Sequence, residues 1–296
     1  MHCTVAQDHA AQALRHLIRV ISPQLALPLL GGVQLDATDH VLRLTATDLT
    51  HHVVAEIPAT VDEPGLVVVP AVLLHDLVQR VPTATVTLAT VPASGRVMVR
   101  AGRHQTQLNP LGPEPLPDFP ALTDSRATVT LPAGTLPSLS RQLLFACSRN
   151  EYRPILQGVQ WTGHGDQVQC VSTDGSRLSQ VTWPLPADAV CDQTVVIPAK
   201  TLQEAVRLNT REPVTLTITD ALVQCAAPGI IFTSRLLSSR ERQDDRSEDP
   251  TGAFGDAFRM RKTPQPNRRR DRSWIAQAHG SPVIVFETLS RTSHPR

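Results

Sequence analysis

Residues 28–35 read PLLGGVQL and residues 154–161 read PILQGVQW, so the chain carries nearly the same eight residues twice, 126 positions apart. The similarity continues beyond these stretches, because the Thr-Asp pair at 47–48 returns at 173–174 with the same spacing. A solenoid repeat has a period of only roughly 20 to 50 residues. The spacing therefore predicts a whole domain that occurs twice.

A second pair of stretches strengthens this prediction. VVVPAVLLHDLV at 67–78 returns as VVIPAKTLQEAV at 195–206, and Leu108 returns as Leu236, both at a spacing of 128. The matching stretches keep their order along the chain, and the spacing between the copies changes by only two residues, from 126 to 128. A chain of 296 residues fits two domains. Since aromatic residues make up 3%, we expect cores of Leu, Val, Ile and Ala.

The net charge of +1 conceals an asymmetry along the chain. Residues 238–296 hold twelve Lys and Arg against eight Asp and Glu, so the preceding 237 residues are mildly acidic. Any nucleic-acid contact of that body must then come from a local basic patch rather than from its overall charge.

The cysteines are odd in number, widely spaced and without a C-x-x-C pattern: Cys3, Cys147, Cys170, Cys191 and Cys225. This pattern argues against a disulfide framework or a zinc site and favours a reducing compartment. The N-terminus lacks the continuous apolar core of a signal peptide. The apolar stretch GLVVVPAVLL is too short to span a bilayer. We therefore expect a cytoplasmic protein without membrane contact.

Hydrophobic periodicity predicts an α+β fold in which each copy has two helices and roughly eight short strands, mostly antiparallel. A helix is expected over 6–21, with Arg15 and Arg19 off its apolar stripe. The predicted domains are residues 1–120 and 127–237, joined by a Pro-rich linker. Residues 238–296 are predicted to be an irregular, disordered tail, in which only SPVIVFETL (281–289) has the composition of a strand.

Enzymatic activity is not indicated. The chain contains no G-x-G-x-x-G, G-x-x-x-x-G-K-[ST], H-E-x-x-H or G-x-S-x-G pattern. The doublet His51-His52 does not suggest a metal site, because adjacent strand residues face opposite ways. We expect a protein that is not an enzyme and has no metal or cofactor.

Taken in order, six motifs resemble the bacterial β sliding clamp, the processivity subunit of the replicative DNA polymerase. They are LPLLGGVQL with LTATDL, VVVPAVLLHDLV, LPDFPAL, SRNEYRPILQGVQW, STDGSRLS and VVIPAKTLQEAV. The resemblance implies the DNA-clamp fold, here as two tandem repeats of two helices packed on antiparallel sheets. It also implies a protein that encircles duplex DNA and tethers polymerase during replication.

In that family, helices face a central hole and basic side chains contact phosphates. Gln24 and Val72 stand where the family commonly has Arg, which predicts two lost contacts. The competing interpretation of each candidate is a solvated surface charge. The residues that the resemblance assigns to DNA binding are Gln24, Arg80, Asn150, Arg153, Lys200 and Arg207.

The resemblance also implies a pocket for the peptide tails of the polymerase, the clamp loader and repair proteins. Leu156 and Leu178 would offer an apolar surface, and Arg177 would hold a carboxylate or carbonyl at the rim. The alternatives are that Leu156 is plain core and that Asp174-Gly175 is only a turn. The second-domain wall of this pocket maps to Leu156, Thr173, Gly175, Arg177 and Leu178, of which Thr173 and Arg177 have less reason to be buried.

The family has three such domains per protomer and closes as a head-to-tail homodimer, whereas no third copy of the motifs follows Leu237. We therefore expect ring closure to fail. The chain has 26 Arg and two Lys, which suggests a GC-rich gene and a frameshift as one explanation. The other is a short accessory clamp that acts as a peptide- or clamp-binding module without encircling DNA.

Overall fold

The computed structural model describes residues 1–21, 27–150, 152–164, 166–185, 194–208 and 212–237, together with the backbone of 272–278 and 281–289. The first repeat consists of two helices and eight strands in this order: β1 (His2–Ala6), α1 (Gln7–Leu17), β2 (Gly32–Thr38), β3 (Val41–Thr47), β4 (His51–Glu63), β5 (Gly65–Pro70), α2 (Ala71–Arg80), β6 (Thr85–Thr90), β7 (Val97–Ala101) and β8 (His104–Leu108).

The second repeat has the same order of elements over its described residues: β9 (Ala127–Leu131), α3 (Thr135–Leu143), β10 (Gly158–His164), β11 (Gln167–Thr173), β12 (Arg177–Pro184), β13 (Thr194–Pro198), α4 (Ala199–Leu208), β14 (Val214–Ile218), β15 (Leu222–Ala227) and β16 (Ile230–Arg235). A short 3-10 helix precedes the second strand of each repeat, at Pro28–Gly31 and Pro154–Gln157.

The repeated sequence stretches occupy equivalent sheet positions. β2 pairs with β3 on one edge and β5 on the other, and β10 pairs with β11 and β13, all antiparallel. β1 with β6 and β9 with β14 form a second matching pair. The equivalence that the sequence predicted for the two strands is confirmed.

The cores follow the predicted composition, but the second half of β3 departs from simple alternation. Leu42, Leu44 and Ala46 are buried and Arg43 is exposed, as the period-two pattern of β3 predicts. Thr45 and Thr47, which have the parity of Arg43, are also buried, Thr47 completely. The end of β3 is therefore enclosed on both faces, which brings a hydroxyl into the interior where it needs a hydrogen-bond partner.

Each repeat brings a glycine of its central strand against a valine of the neighbouring strand. A Cβ built on Gly32 would lie 2.5 Å from Val68 Cγ1, and one on Gly158 would lie 2.7 Å from Val196 Cγ1. In both repeats, a leucine shortly after the last strand donates its amide to that valine's carbonyl, at 2.9 Å from Leu111 and 3.0 Å from Leu237. The close approach is thus a shared packing rule, available only to a residue without a side chain.

The chain divides into two compact units. One contains Met1–Ala121 and Ala226–Ser234, and the other contains Leu122–Cys225 and Arg235–Arg296. The predicted domain of residues 127–237 differs from this division, because β16 pairs with β4, antiparallel, from Ile230↔Ala55 to Ser234↔His51. Backbone pairing therefore places the last strand of the second repeat with the first unit.

The prediction of an irregular tail is wrong for residues 272–278, whereas the strand that the composition of SPVIVFETL indicated is confirmed. The structure has β17 (Arg272–Ala278) and β18 (Ser281–Leu289), which pair antiparallel with each other. β18 also pairs in parallel with β12. The β-branched and aromatic residues of SPVIVFETL are typical of a strand. The rest of 238–296 lies outside the described residues.

The described cysteine thiols are all buried, at Cys3, Cys147, Cys170 and Cys225. Burial raises the pKa of Cys3 to about 11 and those of Cys147 and Cys225 to about 12. The described part of the chain contains no cluster of three or more His, Cys, Asp or Glu arranged for a metal ion. Among the residues that the structure describes, no helix is long and apolar enough to cross a membrane.

The glycine packing rule can be tested by one methyl group. We expect Gly158→Ala to lower the free energy of unfolding by about 1–3 kcal/mol, the usual cost of overpacking, because its Cβ would also lie 2.7 Å from the Ile197 carbonyl oxygen. Equilibrium urea unfolding measures the change. Gly112→Ala is the matched control, since its Cβ would lie 4.0 Å from the Glu114 amide nitrogen and no nearer to any other residue beyond its chain neighbours. Equal losses in both variants would contradict the rule.

Candidate nucleic-acid and peptide interfaces

A Thr-Asp turn joins β11 to β12 and positions the predicted peptide-binding residues. The Thr173 hydroxyl donates to the Arg177 carbonyl at 2.7 Å and accepts from the Gly175 amide at 3.0 Å. Asp174 Oδ1 accepts from the amides of Ser176 and Arg177, at 2.9 and 3.0 Å. The predicted turn at Asp174-Gly175 is confirmed, and two side chains satisfy the backbone groups that it would otherwise leave unpaired.

The first repeat builds the same turn between β3 and β4. The Thr47 hydroxyl donates to the His51 carbonyl at 2.9 Å, and Asp48 Oδ1 accepts from the amides of Thr50 and His51 at 3.0 and 2.6 Å. The second Asp48 oxygen lies 2.9 Å from His51 Nδ1. The two turns therefore have the same hydrogen bonds from Thr and Asp to the backbone. They differ in the side chain at the second Asp oxygen, which is His51 in the first repeat and Arg177 in the second.

A positive φ occurs at the same position of both turns. Gly175 has φ +90°, and its counterpart Leu49 has φ +72°. No atom lies within 4 Å of a Cβ built on Gly175. The glycine at 175 is therefore favoured by backbone conformation and not by lack of space, and Leu49 adopts the same conformation at a cost.

Arg177 is held at two points. Its Nε donates to Asp174 Oδ2 at 2.9 Å, and its Cζ lies 5.9 Å from the centroid of the Phe145 ring, a distance suited to a cation–π contact. The side chain is about half exposed. Because Nε is engaged by Asp174, the terminal nitrogens are the part of the guanidinium that remains for a ligand carbonyl or carboxylate.

The electrostatics of this pair favour the charged carboxylate. Burial by itself would raise the pKa of Asp174, but the Ser176 and Arg177 amides and the Arg177 guanidinium together outweigh it. The pKa of Asp174 therefore lies below its ordinary value.

The structure places the five predicted pocket residues in one unit and encloses three of them. Leu156 and Leu178 are 5% and 3% exposed, and Leu156 packs on Val196. This agrees with the alternative that Leu156 is core, and the part of both leucines in a peptide pocket stays a prediction. Thr173 was expected to have less reason to be buried and is fully enclosed. Its hydroxyl serves the turn, while Gly175 and Arg177 remain exposed.

The two predicted cations of α4 lie on one exposed face. Lys200, Gln203 and Arg207 are exposed at i, i+3 and i+7, and the residues between them are mostly buried. Arg207 pairs with Glu204, which is itself largely buried. Lys200 and Arg207 are thus about 10 Å apart along the helix, at 1.5 Å per residue.

The corresponding face of the first repeat is not basic. Val72 and Gln79 occupy the positions of Lys200 and Arg207, and Val72 and Leu73 are each more than half exposed. Arg80 is exposed at the end of α2. The predicted loss of a basic contact at Val72 therefore coincides with an apolar surface.

Asn150 and Arg153 share one exposed turn before the 3-10 helix at Pro154–Gln157. The Arg153 amide donates to the Asn150 carbonyl at 3.5 Å, and Asn150 Oδ1 accepts from the Tyr152 amide at 3.0 Å. Arg149 is exposed beside them. The turn presents two guanidinium groups with an amide between them. Gln24, the remaining predicted residue, lies outside the described residues.

The family resemblance did not assign two exposed arginines to DNA binding. Arg15 and Arg141 are exposed in the last turns of α1 and α3, 126 residues apart. The repeat spacing was the signal that could have found this pair. Burial lowers the pKa of His16, and the positive charges of Arg19 and Arg15 lower it further, so the end of α1 is an electropositive region.

Two models of one protein family match the two repeats of the chain. The profile described as DNA polymerase III beta subunit, N-terminal domain, matches residues 1–123, and the profile described as DNA polymerase III beta subunit, central domain, matches residues 130–240. Together they cover more than half of the chain. The chain belongs to the DNA polymerase III beta subunit family. The resemblance inferred from the repeated motifs is confirmed.

Members of the clamp family are similar to most of the chain. The Beta sliding clamp of Bacillus subtilis (strain 168) is 29% identical over 249 residues, which cover 80% of this chain and 65% of that protein. The Beta sliding clamp of Salmonella typhimurium (strain LT2) is 30% identical over 245 residues, with coverages of 81% and 66%. The chain thus spans about two thirds of the length of these relatives.

Solved clamp structures confirm the predicted fold class. The DNA polymerase sliding clamp from Bacillus subtilis matches with a TM-score of 0.75 and 25% identity, over 97% of this chain and 83% of that one. A putative DNA polymerase III beta subunit from Eubacterium rectale matches with a TM-score of 0.76 at 17% identity, over 97% and 87%, a likeness of fold alone.

The lowered pKa of Asp174 makes its contribution to stability depend on pH. A carboxyl group with a depressed pKa stabilises the fold fully above its ordinary unfolded pKa and loses that contribution as the pH falls through the folded value. We expect Asp174→Asn to cost about 1 kcal/mol at neutral pH, as for a partly exposed charged hydrogen bond. Urea unfolding at several pH values should show the gap from the parent chain closing on acidification. Asp220→Asn, which removes a surface pair with Arg126, should cost little; a gap for Asp174→Asn that is constant with pH would contradict the assignment.

Proposed function

We propose that the chain is a DNA polymerase processivity factor of the sliding-clamp type, acting in DNA replication without catalysing a reaction. The observation that carries the proposal is the pair of equivalent repeats that match the first two beta-subunit profiles in order. The named relatives are sliding clamps. Duplex DNA, the replicative polymerase and the clamp loader are the proposed partners.

The proposed DNA contacts are sequence-independent and go to phosphates. Lys200 and Arg207 lie on one helix face, and Arg149 and Arg153 flank one turn of the same repeat. Side chains of this kind bind the regular negative charge of the backbone and carry no base information. The apolar Val72 and Leu73 on α2 assign the stronger contribution to the second repeat.

A salt titration tests these contacts. We expect Lys200→Gln/Arg207→Gln to weaken binding to a 30-base-pair duplex and to reduce the slope of log K against log salt by about 2, since each phosphate contact contributes about 0.9. Fluorescence anisotropy with two unrelated duplex sequences measures both effects.

The matched control is Arg43→Gln/Arg126→Gln, which removes the same charge from strand and loop positions paired with Glu56 and Asp220. Both variants keep the basic tail, so its non-specific binding cancels. An equal loss of slope in the control would show that net charge, and not the α4 face, governs binding.

We propose that Arg177, with Gly175 at the exposed turn, forms a rim for the extended peptide tails of clamp-binding proteins. The support is geometric: Asp174 and Phe145 restrict the guanidinium, and the Nε contact leaves its terminal nitrogens for a ligand. A guanidinium held in this way loses less conformational entropy when it binds a carbonyl or carboxylate. Leu156, Thr173 and Leu178 support the rim from the core.

Processivity on primed circular single-stranded DNA, with the polymerase and clamp loader of the same genome, tests the proposed function. After dilution into a competitor template, the chain should lengthen products at least several-fold over polymerase alone. Arg177→Ala should raise the concentration needed for half-maximal stimulation about tenfold, equivalent to 1.4 kcal/mol, whereas Arg43→Ala should not. Unchanged product lengths combined with Arg177-dependent binding of the polymerase tail would favour the accessory peptide-binding module instead.

A further inference from the structure

β12 is paired on both edges, and the two partners come from very different parts of the chain. On one edge it pairs antiparallel with β11, its neighbour across the Thr-Asp turn. On the other edge it pairs in parallel with β18, with Arg177 opposite Ile284 and Thr182 opposite Leu289. In the sequence, 96 residues separate the end of β12 from the start of β18.

The first repeat has a strand added at the corresponding edge. β4 is the counterpart of β12, because His51 and Arg177 follow the same turn 126 residues apart. The start of β4, His51–Ala55, pairs with the distant strand β16 in antiparallel direction. The same backbone stretch of both repeats therefore receives a strand from elsewhere in the chain, with opposite strand directions.

We propose that the edge of β12 opposite β11 is a strand-accepting site and that residues 281–289 occupy it as an intramolecular plug against pairing with a second copy of the chain. Six residues of β12 take part, from Arg177 to Thr182. An uncovered edge of this length would present a row of unpaired amides and carbonyls, which is a template for intermolecular pairing.

The parallel direction of β18 makes it easier to displace from the edge of β12 than an antiparallel strand would be. β16 joins β4 as an antiparallel strand, whereas β18 lies parallel to β12, and parallel pairing is slightly less stable per residue. The plug is retained because the tether raises its effective concentration at the edge above that of a second molecule in dilute solution. The hairpin partner β17 then forms the new outer strand. The plug does not require that the chain bind DNA or polymerase.

Hydrogen exchange of the full chain, followed by NMR at pH 7, tests occupancy of the edge. Successive amides of a strand point to opposite edges, so every second amide in Arg177–Thr182 is directed to β18 and the others are directed to β11. Ile284→Pro/Val285→Pro should speed exchange of the β18-directed set at least tenfold and leave the β11-directed set protected. Ile284→Val/Val285→Ile, which keeps both amides and the apolar volume, should match the parent chain.

The two sets of amides separate release of the plug from unfolding. Loss of protection in both sets would mean that the proline variant unfolds the unit, and that result would reject the plug as a separable element. Unchanged protection in the β18-directed set would overturn the proposal outright.

As a second test, a synthetic 281–289 peptide with two added lysines should restore protection to the proline variant in trans. A lack of restoration at millimolar peptide would reject a strand-accepting edge.

Sedimentation velocity tests the role against a second copy. The proline variant should shift from the boundary of the parent chain to a concentration-dependent larger species between about 1 and 100 µM, because the plug no longer competes with a second molecule for the edge. The Val/Ile control should not shift. A proline variant that loses protection yet keeps the parent boundary throughout would refute the protective role of the plug.

Discussion

The aspartate of each Thr-Asp turn sets the constraint on which the Arg177 rim and the starts of β4 and β12 depend. One carboxylate oxygen accepts two consecutive amides, and this fixes where the next strand begins and which side chain stands beside the other oxygen. In the first repeat that side chain is His51, and in the second it is Arg177. The same turn therefore opens β4 and β12, and each of these strands pairs with a distant strand directly after the turn.

The repeats share a backbone but divide their chemistry. The second repeat carries exposed cations on α4 and around the Asn150 turn, whereas the equivalent α2 positions are Val72 and Gln79. Arg15 and Arg141 are a pair that both repeats retain. An uneven distribution of cations concentrates the electrostatic field on one repeat, although the body of the chain is mildly acidic.

The fold could be predicted from the sequence because the two copies provide two readings of the same pattern. Both copies show the same alternation and helical period, and the structure pairs β2 and β10 equivalently. The site could be predicted less completely. A resemblance transfers residue positions but not exposure, so it could not decide that Leu156, Leu178 and Thr173 are enclosed. Strand pairing between distant segments, as for β16 and β18, has no local signal, because register and direction depend on which edge is left open.

Leu49 shows that the two repeats keep the same backbone conformation at a position where their residues differ. It keeps the left-handed conformation that Gly175 adopts freely, at a cost of about 1–2 kcal/mol for a residue with a side chain. The turn around it remains intact because Thr47 and Asp48 still hold it from both sides. At this position the two repeats have therefore kept the same backbone conformation although the residue differs. The strain at Leu49 is the cost of keeping a glycine-like φ with a residue that has a side chain.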